Sequence, residues 1–391
     1  MRKKILMILI FILFFYTVSI NKPNICFADI TDEVERQLKD MELDRINSFL
    51  EEIEKEYKEY MPPFDLNFML DFIKGKSRFD VKSFFIGLLE YLFKEIKANY
   101  NLLAKLIAMA VVFAVLKNME LNFENKNISN LAHSVIYMVL IIIAVQSFYV
   151  ALSAGKQAIE KMVSFMQSLL PVMMSLLLAV GGKVSTAVLH PYIFAAITAS
   201  STWIKDIILP IVVLIAILNI VNNISESFHV SQLAVLLKQV MILLIGLFLC
   251  VFLGTIVVTG AASSAVDGIF IRTMKFASKN LIPIVGGIFA DTVDTVIGCS
   301  LIIKNMLSLA GLIVVIIITA FPILKIFSIV FIYRIAAAVV QPLGEKSLVK
   351  SLEDIANSLV LVIICIASVS IMFFIAITVI LSAGNTATMM R

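Results

Sequence analysis

Asp291 and Asp294 stand three residues apart in an apolar stretch, with Thr292 and Thr295 beside them. On a helix this spacing sets both carboxylates on one face, together with the hydroxyls. Such a face suits either the lining of a polar pathway or the start of a helix at a membrane interface. Other ionisable residues with apolar neighbours are Lys205, Asp206, Asp267, Arg272, Lys304, Lys325 and Arg334. A charge at the centre of a bilayer costs about 2.5–3.5 kcal/mol on insertion scales, so each must pair, reach the interface or line water. Lys205-Asp206, set between two apolar runs, reads as a loop.

Catalytic constellations are not apparent. Aspartyl chemistry needs two carboxylates that converge, whereas Asp291 and Asp294 are neighbours by default. His133, His190 and His229 are dispersed, and Cys26, Cys250, Cys299 and Cys365 lack metal-ligand spacing. Gly75-Lys76-Ser77 resembles the end of a phosphate loop, but Leu70 stands where that loop needs glycine. The expectation is a protein that is not an enzyme, with no catalytic residues, metal or cofactor.

The elements that must position these residues belong to a membrane. Hydrophobic residues make up 60% of the 391, charged residues 15%, and the mean hydropathy is +1.00, outside the range of soluble domains. Basic residues occur singly beside apolar segments, so nucleic acid is excluded as an expected partner and membrane lipid is the solvent.

Arg2, Lys3 and Lys4 precede an uncharged apolar run at 5–20 and then Cys26-Phe27-Ala28, the pattern of a secretory signal over 1–28, either cleaved or anchoring. Residues 29–63 follow outside the cytoplasm. Between Asp29 and Tyr60 the net charge is −7, yet apolar residues recur at three- to five-residue steps, which predicts one long amphipathic helix ended by Pro62-Pro63. Val34, Leu38, Phe49 and Ile53 lie on its apolar face, as contacts either for a partner or for the chain itself. Residues 64–100 mix apolar runs with lysines, as segments lying along a membrane surface do.

Residues 101–161 hold the first membrane helices. Ten apolar segments run from 102–116 to 359–381, several shorter than the roughly 20 residues that a crossing needs. Pro171 and Pro283, Pro210 and Pro322, and Lys238 and Lys350 are each 112 residues apart, which marks an internal duplication, 162–273 and 274–391. Each copy opens with short interrupted segments, around Gly181-Gly182 and before Asp291, that read as re-entrant hairpins with Pro171 and Pro283 at equivalent bends. The fold class expected is an all-α polytopic membrane protein, internally duplicated with re-entrant helical hairpins and preceded by an exported amphipathic helix.

The signal, the acidic helix, the 207–238 region, and the run Ile282-Pro283-Ile284-Val285-Gly286-Gly287 followed by Asp291-Thr292-Val293-Asp294-Thr295 together resemble the stage III sporulation protein AE family. The resemblance implies a multi-pass protein of the mother-cell membrane around the forespore. Its implied partners are the other subunits of the stage III sporulation channel complex, which links the two cells and sustains late forespore gene expression. The alternative role is a non-conducting scaffold that assembles those subunits.

Overall fold

The computed structural model describes residues 44–61, 80–120, 126–224, 230–281, 285–343 and 346–389. The signal at 1–28, and Val34, Leu38 and Pro283, lie outside them. Among the described residues the regular structure is helical throughout. The helices are α1 (Asp44–Tyr57), α2 (Val81–Ala98), α3 (Tyr100–Glu120), α4 (Lys126–Ala179), α5 (Lys183–Thr202), a π-helical turn (Trp203–Ile208), α6 (Leu209–Ile224), α7 (Ser231–Leu281), α8 (Val285–Val340) and α9 (Lys346–Met389).

Among the described residues, five helical stretches are long and apolar enough to cross a membrane: Tyr137–Ala179, Lys183–Asn223, Ser231–Thr273, Ile297–Val340 and Ser347–Asn385. A sixth crossing exists if α2 and α3, bent by 43°, form one broken span. The chain is thus an all-α polytopic membrane protein. α8 and α9 make the most extensive helix pair and, with α4, enclose the centre, whereas α7 packs on α9, α5 and α6 and leaves a long apolar face uncovered.

The ten apolar segments merge into fewer, longer helices than the sequence suggests. An isolated charged residue interrupts hydropathy without interrupting backbone hydrogen bonding, so α4, α7 and α8 each run on for more than 50 residues. The half-length helices expected before and after Asp291 are instead one helix, because α8 is continuous from Val285 to Val340. Pro171 likewise sits inside unbroken α4. A proline withdraws one N–H, but the turns on either side keep theirs, and Ser168 and Ser175 donate to the Ser164 and Pro171 carbonyls beside it. Pro322 is similarly internal to α8.

The break that does form is at Gly181-Gly182. Gly181 takes φ +94°, a left-handed conformation that a side chain would strain, and its N–H and that of Gly182 close the end of α4 on Leu178 and Leu177. Lys205-Asp206 is not a loop. It lies in the π-helical turn immediately before Pro210, where a widened turn accommodates the proline ring and keeps α5 and α6 on one course.

Candidate functional site

Two polar regions are built into the apolar bundle, one at its glycine corner and one at mid-height. At the corner, Asp267 of α7 is fully buried, and its carboxylate accepts from the backbone N–H groups of Val184 (2.8 Å) and Ser185 (2.8 Å). The first turn of α5 has no partners for these donors within its own helix, and Gly182 brings no side chain to cap them. Asp267 supplies the cap from another helix, and its negative charge meets the positive end of the α5 dipole. Ser185 Oγ donates to Ser263 Oγ (3.2 Å), which adds a second tie between α5 and α7.

Lys304 of α8 is also fully buried. Its Nζ donates to the Leu381 carbonyl of α9 (2.8 Å), and among the described residues no carboxylate lies within ion-pair distance. Gly384 makes room for it, since a Cβ there would collide with Lys304 Nζ.

The mid-height region is a belt of ion pairs. Lys205 in the π-helical turn reaches Glu160 of α4 (2.6 Å), and Lys161 reaches Glu56 (2.6 Å) and Glu52 (3.1 Å) of α1. α1 is held there by its apolar stripe: Ile46, Leu50, Ile53 and Tyr57 are buried, Phe49 meets Phe165 edge-on, and Tyr57 stacks on Phe321 at 3.9 Å. Phe49 and Ile53 therefore face the chain's own helices. Burial, and the neighbouring Glu56, push the Tyr57 phenol far above the ordinary tyrosine range. The charged face of α1 remains open, with Glu51, Glu52, Lys55 and Glu56 exposed.

Asp291, Thr292, Asp294 and Thr295 fall on the first turns of α8, but their side chains lie outside what the structure describes. They are one to two dozen ångströms along that helix from Lys304, at about 1.5 Å per residue. Pro171, Pro210 and Pro322 are spread over α4, α6 and α8, and they gather no site. The sequence flags Asp267 and Lys304 as ionisable residues in apolar surroundings. It gives no sign that one would cap a helix 83 positions away or that the other would find a carbonyl 77 positions on.

A bundle of long apolar helices with charged side chains held inside it defines an all-α polytopic membrane protein. The chain belongs to the stage III sporulation protein AE family, whose model matches residues 64–384. It is 40% identical over 357 residues to stage III sporulation protein AE of Bacillus subtilis (strain 168), covering 91% of this chain and 90% of that one. No solved structure matches it. A role in sporulation follows from the family.

Proposed function

We propose that the protein is the membrane component of a channel or secretion complex that joins the mother cell to the forespore and sustains late forespore gene expression. Family membership carries this reading. The bundle lends support, because ionised side chains inside a membrane protein ordinarily mark a solute or ion path. The protein acts without catalysis, in the mother-cell membrane around the forespore, and its partners are the other subunits of that complex and lipid.

Replacing Asp291 and Asp294 together by asparagine tests the conducting role. The variant should insert and co-purify with its partners at wild-type levels, while a late forespore reporter falls. Normal reporter activity with intact assembly would favour a non-conducting scaffold, and unaffected sporulation in a strain lacking the gene altogether would reject the sporulation reading.

A further inference from the structure

The mid-height ion pairs lie at a depth where the opposite side of the molecule is purely apolar. Trp203, two residues before Lys205, stacks on Phe248 of α7 with ring centroids 5.4 Å apart, which fixes the belt at the level of Phe248 and Cys250. A second tie agrees: Thr319 of α8 touches both Met162, next to Lys161, and Ser370 of α9. Along α7 no charge occurs between Lys238 and Asp267, and Phe248 is about 15 Å from the first and about 28 Å from the second at 1.5 Å per residue. Ser370 is similarly far inside the uncharged 359–384 run of α9. The belt is therefore well within the apolar slab that α7 and α9 define.

Its charges are not sealed from the surroundings. The Lys161, Glu52 and Glu56 side chains keep 38%, 57% and 44% of their exposure, and Glu160 keeps 44%. At the same level α7 turns Leu243, Leu247 and Val251 outward, with Cys250 exposed among them. Lipid satisfies the α7 face but can hydrate neither a half-exposed ion pair nor the open acidic face of α1.

We infer that the α1–α4 face encloses a water-filled cleft reaching the middle of the membrane, with Glu160, Lys205, Lys161, Glu52 and Glu56 on its wall, while the α7 face is the lipid side. α1 is then a polar lining strip: its apolar stripe holds it on the bundle and its carboxylates face the water. α2, which turns Phe85, Leu89 and Phe93 outward beside it, borders the cleft with lipid-compatible surface. Water and small hydrated solutes are what such a wall admits, since both signs of charge are present in close pairs. The inference deepens the channel reading and rests on it for what the cleft is used for, but the cleft itself can be read independently of sporulation.

The test is thiol labelling of the full chain in membranes of sporulating cells, from either side, with a membrane-impermeant maleimide. Each chain tested carries a single cysteine, the other native cysteines being replaced. Gln157→Cys and Glu52→Cys report the α1–α4 face, and Leu243→Cys and a retained Cys250 report the α7 face. Thiolate chemistry needs water, so the first two should react about tenfold faster or more than the second two. Gln157 is exposed and outside the ion pairs, so it carries the test alone if Glu52→Cys fails to accumulate. Similar rates on the two faces overturn the inference. If all positions are protected, the belt is covered by protein, and if all are reactive, the membrane lies at another level. A loss of spore formation with the labelling contrast intact would bear on the channel reading and leave the cleft standing.

Discussion

The glycine corner and the mid-height belt solve the same problem, an ion in an apolar bundle, in opposite ways. The fully buried charges are bonded to backbone: Asp267, at the corner, to two N–H groups of α5, and Lys304, between α8 and α9, to one carbonyl of α9. At the belt the charges are half exposed and bonded to one another. A buried ion whose partner is a backbone group fixes the position of that backbone, and its loss strands donors or acceptors that have nowhere to go. An exposed pair contributes little to folding, about 0–1 kcal/mol, so its presence in an apolar setting points to the surroundings it needs rather than the fold it supports. The corner is architecture, and the belt is where function should be sought.

Substitutions at the two regions should separate folding from sporulation. The largest loss of stability is expected from Asp267→Leu, which leaves the Val184 and Ser185 N–H groups buried without an acceptor, at about 1–3 kcal/mol for each stranded group. The purified protein should melt earlier and the α4–α5 corner should become protease-sensitive, and an unchanged melting temperature would remove Asp267 from the architecture. Gly181→Ala should cost about 1–3 kcal/mol, because φ +94° is strained for alanine and its Cβ would press on Ile271 Cδ1 at 3.1 Å. The same thermal measurement checks it.

Lys304→Met sharpens the contrast. No described carboxylate depends on this cation, and methionine fills a similar volume, so thermal stability should hold or rise by about 1 kcal/mol as the desolvation of a buried charge is relieved. A marked loss would mean that Lys304 holds an anionic partner. The smallest effect on folding is expected from Lys161→Ala, within about 1 kcal/mol, with melting that depends little on salt.

Much of the architecture is legible in the sequence because lipid imposes simple rules. Apolar runs mark membrane helices, the acidic period from Asp44 to Tyr57 marks an amphipathic helix with its apolar side on protein, and paired glycines mark the corner. The helix ends are less legible. Lys205-Asp206 looks like a loop because charges usually sit at surfaces, and only the packing of α4 shows that Glu160 waits opposite in mid-helix. The short segments around Pro171 and Asp291 look like half-helices because hydropathy falls there, yet hydrogen bonding continues through both. Asp267 and Lys304 stand out by type alone, while their roles depend on partners some 80 residues away, and no local pattern encodes these.

The most direct measurement is a charge swap across the belt, read as spore yield against the amount of protein in the membrane. Glu160→Lys and Lys205→Glu each place two like charges 2.6 Å apart in the parent geometry. Either single reversal should lower spore yield while membrane levels and melting stay near wild type, and the double reversal should restore a large part of the loss. Wild-type spore yield from both single reversals would contradict a functional belt, as would a loss explained wholly by disappearance of the protein.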